Sequence, residues 1–404
     1  MSSKTLWLRA SSGTPPSTRT TINGKTRRVL IFGTSGSGGD LQPIVAIANG
    51  LRIRGHDVVA FGDACVASVM AEAGVECLIA DPEHDLAAQY EAIAREGAHL
   101  DPVAQTEEIH RRLANWAERL GPAIVTAIER RRPDVIVTSL FGCAAVQPAA
   151  ARHRLPWVGV NSTFYLGPHA PRLPEADFGT RAFLLGDYLA GHLNRANLVI
   201  HASDREFDFG FRNLPAHHHY VGPLLWACPA ASPASLEKTG RPWVLVTLST
   251  HLQDDMPIAH LALRALSDCP VQILLTIGDH PAKDLYPLPG NARIERYFPH
   301  DSVMPFAVLL ISHAGHGSVM RALWHGLPMI LVPWGRDQRG VAARAEQLGA
   351  AAVIPRELFT EERLATAVRR MMGNCAGREK LAAISKRLQK CDSVGLACSL
   401  IARV

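Results

Sequence analysis

Short apolar runs alternate with helix-patterned stretches along most of this chain, and the alternation starts afresh in its second half. Arg28-Val29-Leu30-Ile31-Phe32-Gly33 is the first run. It is apolar without alternation, as expected of a parallel strand covered on both faces. A glycine-serine loop, Thr34 to Gly39, follows it. Asp40 then opens a helix with Pro43 near its first turn, Ile44, Ile47 and Leu51 at helical spacing and Gly55 at its end. Further strands are predicted at His56–Gly62, Val75–Ala80, Pro133–Thr138 and Pro156–Val160. The second block begins near Arg241, with strands at Trp243–Ser249, Val271–Thr276, Val308–Ser312 and Met329–Pro333. Strands that alternate with helices build doubly wound parallel sheets. At 404 residues the chain is too long for one ordinary core. The expected architecture is α/β, with two Rossmann-like domains at residues 27–221 and 241–404. Residues 222–240, rich in proline and small residues, read as the linker, and the last helix is free to cross back to the first domain.

Composition removes several classes of function. Hydrophobic residues make up 47% and charged residues 20%, a balance that suits a folded globular protein. The net charge of +5 is spread out. Its densest runs, Arg27-Arg28 and Arg130-Arg131-Arg132, lack interleaved aromatics, so nucleic-acid binding is not expected, and the triple arginine reads as a solvated helix end. The eight cysteines form no CxxC pair and are expected to be reduced, mostly buried thiols of a cytoplasmic protein. No apolar run approaches the ~18 residues that span a bilayer, and no secretory signal is recognised. Met1–Thr26 is rich in Ser, Thr and Pro and has no acid. It reads as a disordered tail or a start placed too early, although a transit peptide shares that composition. His217-His218-His219 beside the linker are expected to be solvent-exposed rather than metal-bound, and no metal or cofactor is expected.

The most informative segment is Ser312-His313-Ala314-Gly315-His316-Gly317-Ser318, directly after a predicted strand. Its glycines allow close approach of a ligand. The N–H groups opening the next helix favour an anion, and His313 and Ser318 can hydrogen-bond a diphosphate. Pro333-Trp334-Gly335-Arg336-Asp337-Gln338 lies past the next strand end, where open α/β sheets bind ligands. Asp337 and Gln338 offer acceptors and donors side by side, a grip for adjacent sugar hydroxyls. Each piece alone also fits tight packing or helix capping; their order in one block favours function.

The segment from His313 to Gln338, with Gly326, Leu327, Pro328 and Pro333 between, resembles the donor-binding signature of family 1 nucleotide-sugar glycosyltransferases of the GT-B fold. The resemblance covers most of the chain from Arg27, and is nearest to bacterial members acting on lipids, sterols and polyketide or peptide aglycones. It implies a hexosyltransferase with a UDP- or dTDP-sugar donor held by the C-terminal domain and a hydrophobic acceptor held by the N-terminal one. A lipid acceptor would bring peripheral membrane contact. The implied donor residues are Gly38, Gly39, Ser249, Thr250, Tyr297, Phe298, His300, His313, Gly315, His316, Gly317, Ser318, Trp334, Asp337 and Gln338. Tyr297 stands where an aromatic residue commonly stacks on the base. Phe141, Phe164 and Tyr165 fall in the acceptor segments. Arg321 departs from the pattern, because many relatives carry there a glutamate that holds the ribose, and arginine accepts no hydrogen bond. Asp40 by itself reads as a helix N-cap. The resemblance makes it the general base instead, in a place the family fills with histidine or aspartate, and Pro43 three positions on agrees. An inverting single displacement without essential metal is then implied. A nucleotide-sugar epimerase of similar architecture and a non-catalytic nucleotide-sugar-binding protein are the alternatives.

Overall fold

The computed structural model describes residues 26–34, 39–81, 102–167, 170, 188–226, 236, 240–250, 253–373 and 375–404. Gly38, most of the N-terminal tail and most of residues 168–188, a further stretch where acceptor contacts are expected, lie outside them. Seven parallel strands form the first sheet: β1 (Arg28–Phe32), β2 (Asp57–Gly62), β3 (Glu76–Ile79), β4 (Val135–Ser139), β5 (Trp157–Asn161), β6 (Leu198–His201) and β7 (His218–Tyr220), in the order β3-β2-β1-β4-β5-β6-β7. Six more form the second: β8 (Trp243–Thr247), β9 (Gln272–Thr276), β10 (Ala292–Glu295), β11 (Ala307–Ser312), β12 (Met329–Leu331) and β13 (Ala351–Val353), in the order β10-β9-β8-β11-β12-β13. The helices are α1 (Leu41–Ile53), α2 (Ala64–Glu72), α3 (Pro102–Arg131), α4 (Cys143–His153), α5 (Met256–Leu266), α6 (His300–Val303), α7 (His316–His325), α8 (Gln338–Gln347), α9 (Glu361–Gly373), α10 (Cys375–Gln389) and α11 (Ser393–Ile401). This is the GT-B arrangement of two parallel-sheet α/β domains.

The central strands show why their sequences are continuously apolar. Val29 and Ile31 of β1 pack with α1 on one face of the sheet, while Leu30 and Phe32 pack with α3 on the other. In the second sheet Leu245 of β8 faces the α7 and α8 layer, and Val244 and Val246 face the α5 and α9 layer. A strand whose side chains alternate between two dry layers has no polar face to show.

Four strands were not foreseen, each for a local reason. β6 and β13 are short, β10 is half-buried throughout, and β7 is built from His218 and His219 of the histidine triplet with Tyr220. The triplet therefore corrects the sequence reading. His218 is buried in β7, with Nδ1 3.1 Å from Nε2 of His201, and burial pushes its pKa down to about 4. The cysteines correct it as well: of the six described as free, only Cys143 and Cys398 are buried, and Cys65 and Cys391 are exposed. Arg130 and Arg131 do end a helix, α3, with Arg131 paired to Glu76.

The chain continues in the first core past residue 221. Leu224 and Trp226 are buried there together with Ala397, Cys398 and Ile401 of α11. Gly50 of α1 makes this docking possible: a Cβ at that position would lie 2.4 Å from Cγ1 of Val394. Gly50→Leu should therefore lower stability by ~1–3 kcal/mol and loosen α11. Proteolysis near residue 392 that is no faster in the variant would contradict the packing argument. Among the described residues no helix is long and apolar enough to cross a membrane.

Candidate functional site

In open parallel sheets the loops on either side of a reversal in strand order diverge and leave a crevice at the carboxyl ends. The first sheet reverses between β1 and β4, the second between β8 and β11. Asp40 follows β1, and the His313 segment follows β11. Ser249 and Thr250 follow β8.

The start of α7 is prepared for an anion. Gly315 at its N-cap position provides no side-chain hydrogen bond, and the first turn contains no acid. Ala314 just before it has a φ of 69°, an unusual conformation for a residue with a Cβ, which turns the chain sharply from β11 into the helix. Its two glycines differ. A Cβ on Gly315 would lie 2.6 Å from Nε2 of His313, so the imidazole requires that glycine. A Cβ on Gly317 would meet nothing within 4 Å, so open space lies over the helix start. Ser318 and Gly317 are half-buried beside it. His313 is buried, and burial pushes its pKa down to about 4 although Asp255 acts in the opposite sense. His316 is equally buried but packs edge-on against Phe207 of the first domain, 5.8 Å away, which points it into the interdomain contact.

The Asp337-Gln338 pair departs from the simple picture of a free sugar grip. Asp337 occupies the N-cap position of α8 without capping it. Its Oδ2 instead accepts a hydrogen bond from Oγ1 of Thr163, 2.5 Å away in the loop after β5, so the carboxylate is held from the opposite domain. Gln338 is buried and largely committed to the protein. Its Oε1 accepts from the amides of Trp334 and Gly335 at 2.8 and 3.0 Å, and its Nε2 donates to Gln253 at 2.9 Å. An amide nitrogen carries two protons, so one remains for a ligand. Trp334 is half-buried under the Arg356 guanidinium at 4.5 Å.

The aromatic pair near residue 297 separates. Tyr297 is 68% exposed and presents a face, whereas Phe298 is part of the core of the second domain. Phe298 is thereby withdrawn as a stacking platform. His300 opens α6, with Nε2 3.3 Å from Thr276 Oγ1.

Asp40 is only 5% exposed. It sits at the N-cap position of α1 in helical conformation, with φ −76° and ψ −26°, and its side chain makes no capping hydrogen bond. The capping role open to it in the sequence is absent. Its carboxylate lies close enough to Cys143, at the start of α4, to help burial push that thiol well above its ordinary range. Gly39 is exposed beside it. Asp40 thus stands where the β1 and β4 loops part.

The acceptor candidates are distributed differently from expectation. Phe141 is half-buried in the turn after β4. Phe164 and Tyr165 are instead buried in the contact between domains. The Arg344 guanidinium of α8 lies 3.8 Å from the Phe164 ring centroid and 4.5 Å from that of Phe209. Its Nε donates to Asp208 at 2.7 Å, and Asp208 also accepts from the Tyr165 amide at 2.8 Å and the Tyr220 hydroxyl at 2.6 Å. No motif announces this clamp, because its members are far apart in the chain.

Comparison with known proteins points the same way as the sequence resemblance. The family described as erythromycin biosynthesis protein CIII-like, C-terminal domain, matches residues 260–390. The chain is 26% identical to O-mycaminosyltylonolide 6-deoxyallosyltransferase of Streptomyces fradiae over 91% of this chain and 95% of that one. It is 29% identical to 4'-demethylrebeccamycin synthase of Lentzea aerocolonigenes over 48% of this chain and 47% of that one, so this match spans about half of either protein. The crystal structure of the glycotransferase of kitacinnamycin superposes with a TM-score of 0.74 at 22% identity, over 94% of this chain and 99% of that one. The chain has the GT-B fold, and these likenesses support a family 1 glycosyltransferase. Within that family pattern Arg321 is the departure, and the structure shows what becomes of it. Its guanidinium pairs with Asp301, whose other oxygen is 2.9 Å from Nε2 of His325. The cation is neutralised inside the domain, and a carboxylate from α6 is brought next to the place where the family carries its acid.

Proposed function

We propose that this chain transfers a hexose from a UDP- or dTDP-sugar to a hydroxyl of a hydrophobic natural-product or lipid aglycone, with inversion at the sugar and Asp40 as general base. The observation that carries the reading is the uncapped start of α7, with space left over Gly317 and His313 packed beside it at the reversal point of the second sheet. A diphosphate fits such a place, because unpaired helix N–H groups and the helix dipole stabilise the charge that grows as the nucleotide leaves. Asp337, and the one free proton on Gln338, supply sugar contacts, and Tyr297 offers a face to the base. Asp40, a buried carboxylate at the carboxyl end of β1, is suited to take the acceptor proton. Phe141 is the candidate for acceptor contact that the domain interface leaves available.

A thermal-shift panel of nucleoside diphosphates and their sugars tests the reading. Saturation at a hundred times Kd should add ~2.7 kcal/mol of stability. His313→Ala should weaken binding of the preferred nucleotide sugar roughly 10-fold to 100-fold, the range for a hydrogen bond to a charged group, and leave acceptor binding unchanged. A panel in which no diphosphate stabilises the protein would remove the donor site, and with it the proposed activity.

A further inference from the structure

Asp255 stands at the N-cap position of α5, where an aspartate ordinarily accepts from the first helical turn. It does not do so. Asp254 before it has a φ of 62°, strained for a residue with a Cβ, and Asp255 is turned inward until it is 0% exposed. There it ties together the loops after three neighbouring strands. Oδ2 accepts from the Ser249 amide in the β8 loop at 2.8 Å and from Gln253 at 3.3 Å. Oδ1 lies 3.0 Å from Nε2 of His280 in the β9 loop. Oδ2 also lies 3.9 Å from Nδ1 of His313 in the β11 loop.

A scaffold alone does not account for this arrangement. Asp255 Oδ1, His280 Nε2 and His313 Nδ1 are all buried without an aligned hydrogen-bond partner. Incomplete polar networks in a dry interior are costly, and a buried carboxylate among neutral rings is more so. His313 shows two different sides. Nδ1 faces the carboxylate, and Nε2 is the atom against Gly315 at the helix start. A neutral ring with its proton on Nδ1 would aim a lone pair at an incoming phosphate.

We infer that Asp255 is a positioning residue for the donor diphosphate: it holds His313 from behind, so that the ring takes up a proton from solvent and becomes an imidazolium between two anions when the donor binds. The inference rests on the nucleotide-sugar reading above. The charges around the ring agree with it. In the free protein burial keeps His313 neutral, Asp255 and the Thr247 backbone favour its protonation, and Arg336 and His280 oppose it. His300 is also in range and is itself held neutral, pushed down to about 3 by burial first. Burial opposes ionisation of Asp255 too, yet His280, His313, the Ser249 amide and Gln253 together outweigh it and hold the carboxyl below its ordinary range. A dianionic neighbour at Nε2 is the missing contribution that brings the imidazolium within reach of neutral pH. The proton is released again when the nucleotide leaves.

Calorimetry of UDP-glucose and dTDP-glucose binding near neutral pH, in buffers of different ionisation enthalpy, counts the protons exchanged. The diphosphate diester of a nucleotide sugar does not titrate there, so any uptake belongs to the protein. The parent is expected to take up about half a proton or more per donor bound. His313→Gln and Asp255→Asn should each take up fewer than about 0.1. A purely structural Asp255 would give a variant that binds more weakly yet takes up as many protons as the parent, and that result overturns the inference. If Asp255→Asn does not fold, the parent and His313→Gln still decide, since binding without uptake, or equal uptake in both, overturns it as well. Binding without uptake leaves the glycosyltransferase reading standing. Binding of neither sugar nucleotide overturns that reading itself.

Discussion

An Asp40→Asn variant should lose roughly 100-fold to 10,000-fold in kcat/KM for glycosyl transfer, the span that a positioned general base contributes. Donor affinity should stay within about threefold of the parent, because the general base contacts the acceptor and not the diphosphate. Asparagine nearly matches the carboxylate in shape, and the Asp40 side chain does not cap α1, so the substitution removes no capping bond from that helix. The substitution thereby separates chemistry from binding. An ordinary helix-capping aspartate would show the opposite pattern, with stability reduced by about 1 kcal/mol and turnover preserved. Initial rates with a panel of hydrophobic aglycones, alongside donor titrations, distinguish the two. A variant that turns over as fast as the parent would strip Asp40 of the role.

The fold was legible in the chain because buried parallel strands leave a coarse signature, an apolar run followed by a turn and a helix pattern. β1, β4, β8 and β11 all carry it. The strands it missed lack that signature for physical reasons. In β7 histidine and tyrosine take the place of apolar residues and hide their polarity on partners outside the strand, His218 on His201 and Tyr220 on Asp208. The candidate site was legible where its residues are consecutive, as from His313 to Ser318 at the start of α7. It was not legible where function depends on partners brought together by folding. Nothing in Asp337-Gln338 announces that Thr163 will hold the acid, or that the amide will pin the Trp334 loop. Phe164 and Tyr165 looked like acceptor contacts because they are aromatic and follow a strand. Only the fold shows Arg344 lying against the first and Asp208 bonded to the second. Asp255 was missed for a related reason: an aspartate before a helix reads as a cap, and its inward turn appears only in three dimensions.

The same clamp governs the second large effect. Asp208 and Arg344 are 0% and 1% exposed at the side chain, in different domains, so neither charge can be satisfied by water if the other is lost. Removing one partner of a buried pair typically costs ~3–5 kcal/mol, because the remaining charge is stranded. Asp208→Ala should fall in this range or above it, since the Tyr220 hydroxyl and the Tyr165 amide lose their acceptor in the same step. Arg344→Met in the same background should recover a good part of the loss, as the thioether can fill the space between Phe164 and Phe209 without a charge. Denaturant unfolding followed by tryptophan fluorescence provides the comparison. In Asp208→Ala the single transition should also split, because the two domains would no longer be held at this point and could unfold separately. The clamp grows from α8, the helix at whose start stand Asp337 and Gln338, the proposed sugar contacts. Loosening it should therefore weaken donor-sugar recognition as well as stability. An Asp208→Ala protein within about 1 kcal/mol of the parent would show that the pair is solvated in solution, and that the domains are joined elsewhere.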